Sequence, residues 1–339
     1  MFETLKALCE LNGTSGREEK VREFILGKIK GECEYKIDPL GNIIAFKKGK
    51  KTTSNKVMLT AHMDEVGFII TYITDDGFLR FDAVGGIDEK VIAGRAVTVG
   101  EKGIPGVIGL KPIHLTDKAD DGKVPTISKL YIDIGASSKK EAEQYVSVGD
   151  SAYFISAFEK FGDNKIKSKA IDDRFGCAVM LDMICGETEY DAYFVFLVQE
   201  EVGLRGSIAA AYSVDPDYAI VLEATTAADV AGVKDSDAVC ILSKGAVISF
   251  MDRSTVYDRK LFKRAFELAE ENGVACQVKT AVAGGNDAGS IHKSRGGVYT
   301  ITVSLPCRYI HSATSVADER DMDSCRKLAE LLLSDFANA

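Results

Sequence analysis

The chain has 339 residues, 46% hydrophobic and 27% charged, so it can bury a large core and is long enough for two domains or one domain with a sizeable insertion. With 51 acidic against 42 basic residues and a net charge of -9, it repels nucleic acid and anionic membrane on average, and neither is an expected partner. No apolar stretch is long enough to cross a bilayer, Met1 to Lys6 lacks the pattern of a signal peptide, and the eight cysteines are scattered singly, so a reducing cytoplasm is the expected compartment. The cysteines read as small core hydrophobes, Cys177 and Cys185 among them in a helical pattern.

In chain order, the first predicted element is a helix. Ser15-Gly16-Arg17-Glu18 fits a capping box, and Val21, Phe24, Ile25 and Ile29 follow at helical spacing. A hairpin turning around Pro39-Leu40-Gly41-Asn42 leads into a strand at 43–46, and 57–61 is a short apolar run of the kind a buried strand gives. From Gly67 to Lys165 short β-rich pieces (67–73, 78–81, 96–99, 106–110, 129–134, 151–155) are parted by Gly, Asp and Lys turns, with helical periodicity only at 138–145. This predicts an inserted β domain of the small-barrel type. After Lys169 helices (174–185, 204–212, 259–272, 288–292, 321–336) alternate with strands (192–198, 218–222, 275–279, 298–303). The predicted fold class is α/β: a three-layer α/β/α sandwich made of residues 1–66 and 166–339, with a small β-barrel domain, residues 67–165, inserted.

In such sheets, sites form beyond the carboxyl ends of the strands. Here the strand at 57–61 runs into His62 and Asp64, that at 192–198 into Gln199-Glu200-Glu201, that at 218–222 into Glu223, and that at 298–303 on towards His311. Ala170-Ile171-Asp172-Asp173-Arg174 precedes the first helix of the second segment. Each group alone has a plainer explanation as a helix cap or a solvated turn. Together, carboxylates converging at strand ends would repel one another, and divalent cations are the natural compensation. Histidines and carboxylates without thiolates suit a pair of Zn²⁺, Co²⁺ or Mn²⁺ ions, which at a separation of about 3.5–4 Å form a standard hydrolytic centre. A carboxylate that binds no ion would then take the water's proton and pass it to the leaving amine.

Four longer stretches carry a resemblance: Ala61-His62-Met63-Asp64-Glu65-Val66-Gly67-Phe68, Ala170-Ile171-Asp172-Asp173-Arg174-Phe175-Gly176, Gln199-Glu200-Glu201-Val202-Gly203-Leu204-Arg205-Gly206 and Cys307-Arg308-Tyr309-Ile310-His311-Ser312. With support at 106–114, 132–136 and 284–289, they resemble the M42 metallo-aminopeptidases, which include glutamyl and tetrahedral aminopeptidases and are often labelled endoglucanase or cellulase M. The match spans nearly the whole chain in order. It implies that His62 and Glu223 bind one metal, Glu201 and His311 the other, and Asp172 both. It also implies that Glu200 is the general base, that Asp64 hydrogen-bonds His62 and fixes its tautomer, and that a cis peptide joins Asp172 and Asp173. The implied cofactors are two divalent ions per subunit, Zn²⁺ or Co²⁺ with Mn²⁺ as an alternative. The implied partners are peptide substrates with a free N-terminus and further copies of the chain, commonly in a dodecamer, with the insert supplying contacts.

Three positions depart from the family pattern: Glu223 where many members carry Asp, Ser312-Ala313-Thr314-Ser315 where Ser-Pro and an acid are usual, and Asn286 where Thr is commoner. Of the remaining histidines, His114 is expected to be a packed loop residue and His292 to end a short helix. Arg308, the 284–287 loop and Ser249-Phe250-Met251 are candidates for the substrate pocket, with Arg308 or Arg253 as the cation for an acidic N-terminal side chain.

The expected function is removal of N-terminal residues from peptides by a metal-bridging hydroxide, with Glu200 as base. The same ligands serve dinuclear carboxypeptidases and deacylases, but a β domain inserted after the first ligand strand favours the aminopeptidase. Glycoside hydrolysis usually needs two carboxylates flanking a sugar on aromatic platforms, and the chain has no tryptophan. A non-enzymatic cation-binding protein would spread its acids along helix faces rather than at strand ends.

Overall fold

The computed structural model describes residues 1–115 and 122–339. In chain order the elements are α1 (Phe2–Glu10), α2 (Glu19–Ile29), β1 (Glu34–Ile37), β2 (Ile43–Lys47) and β3 (Val57–His62), followed by β4 (Gly67–Ile73), β5 (Leu79–Val84), β6 (Ala96–Val99), β7 (Ile104–Gly109), β8 (Tyr131–Asp133), α3 (Lys139–Ala142) and β9 (Ser151–Phe154). The remainder comprises β10 (Glu159–Phe161), β11 (Lys165–Ser168), α4 (Ile171–Cys185), β12 (Ala192–Leu197), α5 (Arg205–Val214), β13 (Tyr218–Thr226), β14 (Ala246–Ile248), α6 (Arg259–Glu271), β15 (Cys276–Val278), α7 (Ala288–Ile291), β16 (Tyr299–Cys307), β17 (Ser315–Asp318) and α8 (Glu319–Ala337).

The main sheet has eight strands in the order β1-β2-β12-β3-β13-β16-β14-β15, and its centre, β12-β3-β13-β16, is parallel. These central strands are apolar throughout because both faces are covered. Leu59, Phe194, Phe196, Ile220 and Leu222 point into a core shared with α1, α2, α4, α6 and α8. Their neighbours Met58, Val195, Leu197, Ala219 and Val221 point the other way, against Ala210 and Ala211 of α5 and Ala288 and Ile291 of α7. The result is an α/β/α sandwich. Between β3 and β11, strands β4-β5-β8-β7-β6-β9 close into a barrel with its own core, centred on Phe68, Phe81, Val97, Ile108 and Phe154. Ala313, from the loop after β16, packs against that core.

Three local expectations change. The Ser15–Glu18 capping box does not form: the Ser15 hydroxyl donates to Asp64 Oδ2 at 2.6 Å, and only Glu18 reaches back, to the Gly16 N–H. The Ser15 hydroxyl is turned to the carboxylate as a donor, and α2 starts only at Glu19, so the Ser15 oxygen accepts from none of the first helical N–H groups. Strands β10, β11 and β17 form a separate small sheet, in which β11 pairs with β17 rather than with the barrel. Their short polar sequences carry no alternation to announce them. Cys185 is exposed at the end of α4 while Cys177 is buried, and all eight cysteines are unpaired. Among the described residues no helix is long and apolar enough to cross a membrane.

Where the chain leaves the sandwich after β3 and returns before α4, a buried ion cluster joins the crossings. Lys169 Nζ lies 2.7 Å from both Glu65 oxygens and donates to the Leu11 carbonyl, and the fully buried Arg174 lies 3.5 Å from Glu65 and donates to the Leu8 carbonyl at 2.6 Å. Removing one partner strands a buried charge, so Lys169→Met should cost about 3–5 kcal/mol. A shift in the denaturant midpoint measures it, and an unchanged midpoint contradicts the role given to this cluster.

Candidate metal centre

The parallel register Val221↔Thr60 brings Glu223 on β13 level with His62 at the end of β3, and β12 pairs Leu197 with His62 before running into Glu200 and Glu201. Glu223 therefore lies within its strand, which continues to Thr226, rather than at its end. Asp172 is placed by the start of α4, where the Asp172–Asp173 peptide bond is cis. His311 arrives from the loop after β16, and Ala170, Gln199 and His311 all adopt left-handed backbone, with φ of 56°, 55° and 59°. Such conformations persist in non-glycine residues only where the surroundings over-determine them. Gly85 (φ +84°) lets the barrel backbone approach closely: a Cβ there would lie 3.2 Å from Glu201 Cβ.

The side chains converge as follows. His62 Nε2 lies 3.4 Å from Asp172 Oδ1 and 3.5 Å from Glu223 Oε1, while His311 Nε2 lies 3.2 Å from Asp172 Oδ2 and 3.4 Å from Glu201 Oε2. Asp172 thus presents one oxygen to each histidine. His62 Nδ1 donates to the Asp64 carbonyl at 3.0 Å and His311 Nδ1 donates to the Gly86 carbonyl at 2.9 Å. A carbonyl only accepts, so Nδ1 carries a proton in both rings and Nε2 is the nitrogen turned to the carboxylates, a donor while the ring is protonated and free to ligate once it is neutral. Asp64 meets the His62 ring mainly through its backbone oxygen, because its carboxylate lies 3.5 Å from Nδ1 and accepts instead from the Glu200 and Glu201 amides at 3.0 and 3.1 Å.

These distances fit divalent cations. Asp172 Oδ1 and Glu223 Oε2 are buried with no hydrogen-bond partner, an expensive state for a carboxylate oxygen unless a cation answers it. Ligand atoms of His62, Asp172 and Glu201 lie within 4.8 Å of one another, as do those of His62, Asp173 and Glu223. Burial, then the neighbouring Asp287, Glu201 and Asp64 carboxylates, push Glu200 well above the usual carboxylate range against the pull of His62. Burial pushes Glu201 to about 7, opposed chiefly by His311, and with the Asp172 charge lifts Glu223 well up. Burial works to raise Asp172 too, but the His311 and His62 rings beside it hold it far below its ordinary value. For His311, burial lowers the pKa, but Asp172 and Glu201 outweigh it and lift the ring to about 9.

Two acids to which sequence reasoning gave no role at the centre lie beside it. Asp173 accepts from the His62 and Gly176 amides, fixing the backbone beside two candidate ligands. Asp287 is buried, with Oδ1 unpartnered, and burial first of all pushes it to about 6. The sequence marked it only as part of the 284–287 loop, a candidate for pocket lining. Two of the three departures from the family pattern find local explanations. Asn286 Oδ1 accepts from the Ala288 N–H at the start of α7, and its amide faces the Tyr257 hydroxyl. The Ser312 hydroxyl donates to the Tyr309 carbonyl at 2.6 Å and its oxygen accepts from the Thr314 N–H, closing a turn in a loop that lacks proline.

The other candidates are engaged or placed as follows. Arg308 forms a two-pronged ion pair with Asp229, at 2.8 and 2.6 Å, so its charge is already matched. Arg253 is exposed, its N–H on the Gly284 carbonyl. Ser249 is buried while Phe250 and Met251 are partly exposed. His114 is exposed in a single turn at Ile113–Leu115 rather than packed. His292 caps α7 and bonds the Ala288 carbonyl. Beside His311 a cleft of about 610 Å³ opens between the barrel and the 309–316 loop, lined by Asp88, Arg95 and Tyr309 among others.

The family model described as M42 glutamyl aminopeptidase matches residues 41–328. A protein of Acetivibrio thermocellus, provisionally named an aminopeptidase, is 42% identical over 332 residues, 97% of each chain. The lysyl aminopeptidase of Pyrococcus furiosus is 36% identical over 345 residues, covering 99% of this chain and 97% of its own. The TET1 peptidase of Pyrococcus horikoshii, described as assembling into a tetrahedron or a large octahedral shell, superposes with a TM-score of 0.85 at 37% identity over 98% of each chain. With a continuous match over most of its length and the same fold as a solved relative, this chain belongs to the M42 peptidase family and is an aminopeptidase.

Proposed function

We propose that the enzyme removes N-terminal residues from peptides at a centre of two divalent cations, one held by His62 and Glu223, the other by Glu201 and His311, with Asp172 shared. The observation that carries this reading is the Asp172 carboxylate, with one oxygen facing each histidine and one glutamate joining on each side. Zn²⁺, Co²⁺ and Mn²⁺ all suit this set of nitrogen and oxygen donors. When bound, such ions lower the pKa of water and polarise a peptide carbonyl. Glu200 supplies proton transfer: its amide is fixed on Asp64, and its carboxyl lies in surroundings that favour holding a proton. That proton passes to the leaving amine. Asp64 is a positioning residue, holding Glu200 and Glu201 through their backbones and the His62 tautomer through its carbonyl.

The cleft beside His311 is the route proposed for the peptide end. An acidic N-terminal side chain finds Arg308 already paired with Asp229, which leaves Arg253, near the Gly284 loop, as the candidate cation. The eight unpaired cysteines suit a reducing cytoplasm. Self-assembly is proposed too, with the insert as its contact region. Val107, Leu110, Ile113 and Leu115 leave apolar side chains exposed along one stretch of it, a feature that marks interaction surfaces. Light scattering should give a mass several times the 36.6 kDa of one chain. A monomer mass would overturn the assembly.

The test of function is a panel of aminoacyl-p-nitroanilides assayed beside N-acyl amino acids, after chelation and after return of each metal. Activity should vanish on chelation, return with a divalent cation and require a free amine. Turnover that ignores the chelator, or a preference for acylated substrates, would favour the glycosidase or deacylase alternatives.

A further inference from the structure

The segment joining β12 to α5 carries the proposed base, yet it has no strand partner for its amides. Amides removed from water need acceptors. Four successive N–H groups find theirs on side chains from three distant parts of the chain. Val198 donates to Asn42 Oδ1 at 3.0 Å, Gln199 to Glu18 Oε1 at 3.1 Å, and Glu200 and Glu201 to Asp64 Oδ1 and Oδ2 at 3.0 and 3.1 Å. The carbonyls of the same segment turn the other way and are taken by the start of α5. Val198 O accepts from the Gly206 N–H, Gln199 O from Arg205, and Glu200 O from Gly203 and Leu204. Every peptide plane around Glu200 is therefore gripped from both sides, with Gln199 held at φ 55°.

The acceptors are themselves held. Glu18 is 3% exposed and shares Oε1 with the Gly16 N–H at 2.7 Å. Three residues earlier, in the same turn, Ser15 donates to Asp64. Asn42 is fully buried, and its amide donates to Asp38 Oδ2 at 2.6 Å and to the Gly206 carbonyl at 3.0 Å. A side chain at Gly206 would have no room, since its Cβ would lie 2.4 Å from Val198 O and 2.5 Å from Asn42 Oδ1. Seating an acid here is costly, because burial and the nearby Asp64 charge push Glu18 to about 7. A neutral acceptor would satisfy the Gln199 amide at lower cost.

We propose that Glu18 and Asn42 are positioning residues that aim the Glu200 carboxyl by fixing the backbone on its N-terminal side. The proposal rests on Glu200 as the proton-transfer group. Proton transfer needs heavy atoms about 2.6–3.2 Å apart. Freeing the Gln199 amide loosens the Val198–Gln199 peptide plane, one residue ahead of the plane that carries the Glu200 N–H, and a displacement of about 1 Å passed on to Glu200 costs up to roughly 10²-fold in rate.

The test combines kinetics with hydrogen exchange. Glu18→Ala should lower kcat by about 10- to 10²-fold with KM and metal content little changed. Glu18→Gln, which keeps an acceptor at the same reach, should recover most of the loss, and Glu18→Asp, one methylene short, should not. In the metal-free protein the Gln199 and Glu200 amides of Glu18→Ala should exchange faster while those of the barrel strands do not change, and Asn42→Ala should act likewise at Val198. Wild-type kcat in Glu18→Ala, or exchange accelerated evenly along the whole chain, would overturn the proposal. If Glu18→Ala does not fold, the Gln and Asp variants decide: equal kcat in the two would overturn it. Should the unmodified protein hydrolyse no aminoacyl substrate, the aminopeptidase mechanism falls, and the exchange data still judge whether Glu18 holds the segment.

Discussion

Glu200→Gln should lower kcat by about 10²–10⁴-fold, the usual worth of a positioned general base, while the protein stays folded and keeps its metal. The expectation follows from what surrounds the side chain. Glu200 is crowded by Asp287, Glu201 and Asp64 in a buried setting, and without cations it favours the protonated form. Glutamine has nearly the shape of that form and carries no charge, so it adds no strain and no new repulsion. What it lacks is a basic oxygen. Cations bound at His62, Asp172, Glu201, Glu223 and His311 would reverse the local field, so that Glu200 can ionise and accept a proton. The decisive measurement is turnover of an aminoacyl-p-nitroanilide beside metal content by elemental analysis. Undiminished turnover at full metal content would remove Glu200 from its role. Lost turnover with lost metal would instead make it a ligand.

The metal-free protein should lose stability as pH rises from about 5 to 9, and added divalent cation should raise Tm more at the upper end of that range. The sign comes from the direction of each shift. Glu201 is raised from 4.5 to about 7, and Glu200 and Glu223 lie well above 4.5, so the folded state binds protons that the unfolded state has released. Their contribution is favourable below the unfolded value and is lost as pH climbs through the folded one. His311, raised from 6.5 to about 9, and His62, raised by Asp172, Asp64 and Glu223 against burial, act in the same direction over a higher range. Asp172 is held low and works oppositely, but only near and below its ordinary 3.8. Cations require ionised carboxylates and neutral imidazoles, so they bind best where the metal-free site is least stable. At a concentration of about 100 Kd the gain is about 2.7 kcal/mol. Thermal melts of chelated and reloaded protein between pH 5.5 and 9 test this. A metal-induced shift in Tm that does not vary with pH would show that these acids do not hold the ion.

Much of this protein was determined locally. The apolar runs of β3, β12, β13 and β16, the turn-rich barrel strands and the alternation of strand with helix after Lys169 are properties of neighbouring residues, and the fold class follows from them. The acids and histidines placed near strand ends were equally legible, because side chains at those positions share a rim in any parallel sheet. Tertiary structure alone decided what depends on distant pairing. The short strands β11 and β17 pair across some 150 residues of chain, with β10 added to β11 as a local hairpin, and no local period encodes the distant match. Ser15 is no helix cap: its hydroxyl donates to Asp64, 49 residues away, and α2 starts beyond its reach at Glu19. The neutralisation of Arg308 by Asp229, the burial of Asp287 and the four amides held around Glu200 likewise arise only when separate segments meet. Hydrophobic periodicity is written along the chain, whereas the partner of a buried polar group is chosen by whatever the fold places within 3 Å of it.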